Sequence, residues 1–111
     1  MKEIKAFIRK IKVEEVVHAL EKIGVSNMTI LDAMEVGEQA DPKSLKLSIE
    51  LIEKYANVSK LEIVCADDRV ALIVKTLREA AYTGSPGDGI IYVTPVEHAI
   101  KIRTGGAEVC G

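Results

Sequence analysis

Apolar positions repeat every second residue at the start of the chain and then every three or four residues. Every second residue from Ile4 to Ile8 is apolar, and this period of two predicts a β-strand over residues 2–9. From residue 13 to residue 23 the apolar positions follow helical spacing, and Gly24 comes next as a residue type that commonly ends helices. The pattern therefore predicts a strand followed by an amphipathic helix.

Two further strands and a second helix are predicted downstream. The segments "NMTILDAME" (27–35) and "KLEIVCA" (60–66) are both typical of strands. Asp67 and Asp68 follow the second of these segments and are predicted N-caps of a helix over residues 70–81, whose apolar positions share one side.

The last apolar runs complete an α+β pattern. Residues 90–93 predict a strand, and "AIKIRT" (99–104) predicts a short additional one. The order β-α-β-β-α-β is that of a ferredoxin-like sandwich, with helices on one face of an antiparallel sheet. Apolar residues occur on both faces of the strands and no third layer is encoded, so we expect another subunit to cover the second face.

The middle section, residues 36–59, is compatible with two structures. Alternation through Leu45, Leu47, Ile49 and Leu51 favours an extended hairpin arm. The segment "DPKSLKLSIELIEKYA" could instead form a helix with Asp41 as its N-cap. We favour the arm, and a connection of this length is typical of functional segments.

Composition narrows the class of protein. The 111 residues fit one domain, and 48% are hydrophobic, which is enough to build a core. A net charge of −2 argues against a general nucleic-acid binder. No apolar run approaches the ~20 residues of a membrane span, and the charged N-terminal segment lacks the apolar region of a signal peptide. We expect a cytoplasmic protein that is not inserted in a membrane.

Residues suited to catalysis or metal binding are few. The chain has two cysteines and two histidines, without a Cys-x-x-Cys pair. His18 is predicted on the polar face of the first helix, whereas His98 could join Cys110 in a metal site. No Ser-His-Asp or Cys-His arrangement is visible. We therefore predict a protein that is not an enzyme, although this pattern leaves weak nucleotide hydrolysis open.

The segment "TGSPGDG" (83–89) has two interpretations. It is either a plain turn, because Gly permits positive φ and Pro presets a bend, or a loop whose N–H groups hold a phosphate. It is not a P-loop, because Ile90 and Ile91 stand where Lys and Ser/Thr are required. In the last predicted strand, Lys101 and Arg103 share a face with Cα atoms ~6.5 Å apart, which suits a polyphosphate or a solvated sheet edge.

Three segments resemble one known family. They are "MKEIKAFIRKIKVEEVVHALEKIGVSNMT", "KLEIVCADD" and "TGSPGDGIIYVTPVEHAIKIRTG", and they cover most of the chain. All three are similar to the P-II signal-transduction proteins, which are trimeric ferredoxin-like regulators. The family's C-terminal signature is a Ser/Thr followed by Gly-Asp-Gly, a basic residue and then Phe or Trp. Here it starts at Thr83 and departs at Ile90 and Tyr92.

The resemblance implies a fold, a ligand and an output element. Residues 1–111 would form one P-II-like domain, with a T-loop-like arm at about 37–58 and a C-terminal tail at 105–111. In the family, three clefts between subunits bind ATP or ADP, and the glycine loop wraps the phosphates. By position, the residues implied in nucleotide binding are Thr29, Gly37, Gln39, Val64, Gly87, Asp88, Gly89, Lys101 and Arg103.

Departures from the family pattern refine the expected function. Ile90 removes a phosphate-binding lysine, while Lys101 and Glu38 each replace an arginine. Val58 stands where nitrogen-sensing members have a lysine for 2-oxoglutarate, and Leu51 replaces the tyrosine that is uridylylated. We therefore expect ADP or AMP to be favoured over ATP.

The expected function is that of a homotrimeric, nucleotide-responsive regulator of a membrane transporter or an enzyme. Its arm, residues 38–57, would be the output element whose order the bound nucleotide controls. The alternative is a metal-binding stress protein similar to the trimeric copper-tolerance proteins, for which His98 and Cys110 would be the available ligands.

Overall fold

The structure, a computed structural model, describes residues 1–34 and 57–107. Within these two ranges six helices and strands follow in chain order, and short 3-10 turns lie at Lys10–Lys12 and Asp67–Arg69. They are β1 (Lys2–Arg9), α1 (Val13–Lys22), β2 (Thr29–Ala33), β3 (Val58–Cys65), α2 (Val70–Ala81) and β4 (Gly89–Pro95). None of the helices in the described part of the chain is both long and apolar enough to cross a membrane.

All four strands belong to one antiparallel sheet in the order β2-β3-β1-β4. β1 lies between β3 and β4, and its Ile8 pairs with Ser59 on one side and Gly89 on the other. At the other end of β1, Lys2 pairs with Cys65 and Pro95. This register decides which loops meet at each end of the sheet.

Both helices cover one face of the sheet and form the core with it. α1 contributes the fully buried Val16 and Leu20, and α2 contributes Ile73 and Leu77. They pack on the alternate residues of the two central strands that point toward them. These strand residues are Ile4, Ala6, Ile8, Leu61, Ile63 and Cys65. Because a buried branched side chain contributes about 1.5–3 kcal/mol, this layer is the main source of stability.

The ferredoxin-like α+β prediction is confirmed. α2 has the predicted bounds, and β1 spans the predicted residues. α1 ends where Gly24 adopts a φ of +91° and its N–H donates to the Glu21 carbonyl at 3.0 Å. His18 is exposed, as expected, and the Cys65 side chain is buried in the core. The arm predicted at 37–58 lies outside the described residues except at its end, where Asn57 leads into β3.

Two local predictions are wrong. Asp67 and Asp68 form a 3-10 turn and do not cap α2, which begins after Arg69 without a side-chain cap. Asp67 instead accepts a hydrogen bond from the N-terminal ammonium at 2.5 Å, and this bond lowers the pKa of the Asp67 carboxyl. Arg69 occupies the N-cap position of α2, so neither aspartate stands where it could cap the helix.

The final strand around "AIKIRT" is a tight turn in the structure. Ile100 forms only an isolated bridge with Ala107, and residues 102–104 turn between them. The Gly105 N–H donates to the Lys101 carbonyl at 2.8 Å, and Gly105 adopts a φ of +69°. The glycine therefore closes a reverse turn where the alternation of apolar residues suggested a strand.

Neither of the two described helices, α1 and α2, lies on the second face of the sheet. Its central residues are Phe7 of β1 and Tyr92 of β4, whose rings meet edge to face with centroids 6.2 Å apart. The Lys60 ammonium lies 5.8 Å from the Phe7 ring centroid. Leu31 (44% exposed) and Val64 (39%) extend the apolar area toward β2. This face combines aromatic, aliphatic and charged side chains.

Candidate functional site

A cavity of about 810 Å³ opens beside the junction of β2 and β3. Its walls are the loop that leads from α1 into β2 and the end of β3, residues 24–29 and 62–66. Thr29, Val64 and Lys101, three of the residues implied in nucleotide binding, line it together. The size falls in the usual range of small-ligand pockets, roughly 300–1,000 Å³.

Charged groups of both signs border this cavity. Glu3 and Glu62 lie on the strand side, while Arg69 and Lys101 provide positive charge. The Arg69 guanidinium donates to the Ile23 carbonyl at 2.5 Å, so it also closes the C-terminal end of α1. Arg69 was not among the residues selected from the sequence. The signal available for it was its position directly before α2, four residues after the end of β3.

The glycine loop before β4 is a folded turn. Gly84, Gly87 and Gly89 all have positive φ, at +88°, +99° and +109°. At Gly89 the reason is also steric, because a Cβ atom there would lie 1.7 Å from the carbonyl oxygen of Phe7. The loop thus needs glycine to fold against β1, whatever ligand it holds.

Asp88 holds this loop together from inside. Its Oδ2 accepts hydrogen bonds from the N–H groups of Thr83 and Gly84, each at 2.9 Å. Its Oδ1 accepts from the Thr83 hydroxyl and from the Arg9 Nε at 3.1 Å. Partial burial alone would raise the pKa of Asp88, but the bonds from Thr83, Gly84 and Arg9 outweigh it and hold that pKa well below its usual range.

Arg9 connects the loop to the sheet. Besides its bond to Asp88, its Nη2 donates to the Pro86 carbonyl at 2.7 Å, so one guanidinium reaches two positions of the loop. Sequence analysis missed Arg9. It stands at the end of β1, and only the register of β1 against β4 brings it to residues 83–89.

The remaining implied residues are dispersed or undescribed. Arg103 lies exposed in the turn after Ile100, so the predicted pairing of Lys101 and Arg103 on one strand face is wrong. Gly37 and Gln39 lie outside the described residues. His98 is exposed, and Cys110 is also outside the described part. Within residues 1–34 and 57–107, no group of three His, Cys, Asp or Glu side chains is arranged to hold a metal ion.

The cavity and the loop lie at opposite ends of the sheet. The cavity borders the end where Lys2 pairs with Cys65, whereas the loop enters β4 where Ile8 pairs with Gly89. These rows lie six residue steps apart on β1, which corresponds to about 20 Å along the strand. The cavity reaches as far as Glu62, which pairs with Lys5, three steps from Ile8. In a single chain the cavity and the loop are therefore separate.

Together, the fold and the loop define a small ferredoxin-like α+β protein with a glycine-rich turn fixed before its last strand. The chain belongs to the family described as "Nitrogen regulatory protein P-II", whose model matches residues 1–106. The resemblance inferred from the sequence is thereby confirmed. Regulation of nitrogen metabolism is the role that gives this family its name.

Individual relatives match over nearly their whole length. The nitrogen regulatory protein P-II of Azospirillum brasilense is 37% identical over 105 residues, which cover 95% of this chain and 94% of that protein. Its counterpart from Bradyrhizobium diazoefficiens is 40% identical with the same coverage. The protein of the same name from Pyropia yezoensis is 40% identical over 108 residues, covering 94% of this chain and 93% of its own.

Proposed function

We propose that this P-II protein binds an adenine nucleotide and, according to the nucleotide bound, regulates a membrane transporter through its arm at about 37–58. The observation that carries the proposal is the cavity beside Thr29, Val64 and Lys101 in a chain of this family. This function requires a cytoplasmic location, where the nucleotide and the inner face of the transporter are both accessible.

The cavity walls suit a nucleoside. Met28, Ile63 and Val64 provide apolar surface for a planar base. Residues 63–65 of β3, which extend beyond its pairing with β2, provide backbone groups for the polar rim of that base. Lys101 and Arg69 provide positive charge toward which a phosphate would extend. Glu62 is available to accept hydrogen bonds from ribose hydroxyl groups.

The complete site is proposed to form between two chains. Within one chain the glycine loop and the main part of the cavity lie toward opposite ends of the sheet, so the proposal does not place one diphosphate against both. A neighbouring chain that placed its loop over the cavity would complete the site. The face of the sheet opposite α1 and α2, with Phe7, Leu31 and Tyr92, supplies a surface on which such chains can associate.

Light scattering is expected to give about three times the 12.1 kDa mass of the chain. The physical reason is the sheet face opposite α1 and α2, whose apolar and aromatic side chains are stabilised by burial against a partner. The measurement should be made at micromolar concentration with and without ADP. A clean monomer in both conditions would remove the proposed site between chains.

The preference for ADP or AMP rests on the cations near the loop. Ile90 pairs with Phe7 in the sheet and has no charge to offer a phosphate. The nearest cation to the loop, Arg9, is engaged with Asp88 and Pro86. Lys101 offers one ammonium where an arginine would offer a planar, two-pronged donor. Fewer charge-assisted bonds are therefore available to a third phosphate.

Calorimetry is expected to show ADP or AMP binding at least as tightly as ATP. Each missing charge-assisted contact costs ATP about 1.5–3 kcal/mol, or roughly tenfold or more in affinity. 2-Oxoglutarate should leave the ADP affinity unchanged, because Val58 is buried and apolar where a lysine would pair with a carboxylate. An ATP affinity far above that of ADP would contradict the preference.

The arm is proposed as the output element because of where its ends emerge. Met34 and Asn57, its described neighbours, lie at the same end of the sheet as the glycine loop, and the Asn57 carbonyl accepts from the Lys10 N–H at 3.0 Å. Gly37 and Gln39 follow three and five residues after Met34 in the chain. A phosphate held by the loop would therefore lie at the same end of the sheet as Met34 and Asn57, where the arm begins and ends.

A further inference from the structure

We propose that Arg9 and Asp88 form a positioning pair that presets the glycine loop for the phosphates of the nucleotide, with neither side chain contacting the ligand. This inference rests on the proposed function, because it assigns a role to residues beside the same site. It replaces the expectation that the Asp88 side chain is itself a nucleotide contact.

The first argument is that the Asp88 carboxylate is already saturated. A carboxylate offers about four acceptor sites on its two oxygens. Asp88 uses them for two backbone N–H groups, the Thr83 hydroxyl and the Arg9 guanidinium. All four donors belong to the loop or to β1, so the carboxylate is turned toward the loop's own backbone and Arg9.

The second argument concerns charge. An unpaired carboxylate beside a phosphate would repel it, whereas Arg9 lies 3.1 Å from Asp88 and neutralises it. The Arg9 and Asp88 side chains are only 18% and 25% exposed, so solvent screens the pair less than an exposed one. By neutralising Asp88, Arg9 would reduce the repulsion between this carboxylate and a phosphate bound at the loop.

The third argument concerns order. A loop with three glycines and positive φ at each has many accessible conformations when it is untied. Arg9 ties both Asp88 and Pro86 to the end of β1, which belongs to the central part of the sheet. A loop that is already ordered loses less conformational entropy when a ligand binds.

The test compares Arg9→Gln, Asp88→Asn and the double variant by calorimetry with ADP and with adenosine. Arg9→Gln is expected to weaken ADP binding about tenfold, because it leaves the carboxylate uncompensated and frees the loop. Adenosine, which has no phosphate, should bind Arg9→Gln as it binds the wild type. In the double variant the repelling charge is gone, so ADP affinity should partly recover relative to Arg9→Gln.

The Arg78→Gln variant is the matched control, because it makes the same chemical change on the exposed side of α2. It should bind both ligands like the wild type. Hydrogen exchange without nucleotide should also show faster exchange of the Thr83 and Gly84 amides in Arg9→Gln, since these amides donate to Asp88.

The outcomes separate this inference from the proposed function. If wild-type protein binds ADP but Arg9→Gln binds it equally well, the positioning pair is overturned and the proposed function stands. If Arg9→Gln lost affinity for adenosine and for ADP equally, Arg9 would support the structure in general and would not act on the phosphates. That result would also overturn the proposed positioning role. If the wild type binds neither ligand, the proposed function fails and the inference fails with it.

Discussion

Gly89→Ala is expected to lower the midpoint of thermal unfolding by more than about 10 °C. A Cβ atom at this position would lie 1.7 Å from the Phe7 carbonyl oxygen and 2.8 Å from its carbonyl carbon, in the backbone of the central strand. Residue 89 also has a φ of +109°, which L-residues with a side chain rarely adopt. The strand pair must separate locally to accept the substitution, at a cost of at least about 3 kcal/mol.

Circular dichroism at one fixed protein concentration measures this effect, and the chain provides its own controls. Gly106→Ala should be nearly neutral, since its Cβ would meet only the Thr104 hydroxyl at 3.4 Å. Gly105→Ala should cost about 1–2 kcal/mol, because its φ is +69° but nothing lies within 4 Å of the new atom. If Gly89→Ala melted like Gly106→Ala, glycine at 89 would be required by the ligand alone and the close contact with β1 would be wrong.

Two variants that cannot bind ADP alone are expected to bind it when their subunits are mixed. Thr29→Glu places a negative charge and a larger side chain in the cavity, while Gly87→Glu places a negative charge in the loop at a φ of +99°. Each trimer of one variant has a defect in every site and should lose ADP affinity by about a hundredfold or more. A mixed trimer brings one intact cavity to one intact loop.

The stoichiometry of the mixed trimer makes this result specific. In a closed ring of three chains, any mixture of the two variants has about one site in which both halves are wild type. Coexpression with two different affinity tags isolates such trimers, and calorimetry should count one ADP per trimer. A site contained within one chain would give no recovery, and that result would contradict the proposed arrangement.

Sequence patterns predicted the core of this fold because burial imposes periodicity. The stripe that includes Ile73 and Leu77 in α2 and the alternation from Ile4 to Ile8 in β1 both follow from packing against the same layer. Positions whose conformation depends on distant partners were predicted less well. Asp67 and Asp68 fold into a 3-10 turn that puts Arg69 at the N-cap of α2, and Gly105 closes a turn where alternation suggested a strand.

For the candidate site, the sequence predicted which residues take part better than it predicted their contacts. Family resemblance selected Thr29, Val64 and Lys101, which share one cavity, and the glycine loop. Sequence could not indicate that Asp88 is turned into the loop or that Arg9 holds it there, because residues 9 and 88 meet only through the register of β1 and β4. Resemblance to a family indicates which residues correspond to its site residues. It does not indicate which groups their side chains contact, because those contacts depend on the folded structure.

A crystal structure of the protein with ADP tests the central claim most directly. The account predicts three chains around a closed axis, with the adenine in the cavity beside Thr29 and Val64 of one chain and the diphosphate against residues 83–89 of its neighbour. In that complex the Asp88 carboxylate should still accept from Thr83 and Arg9. ADP bound by residues of a single chain, or bound away from both the cavity and the loop, would contradict the account.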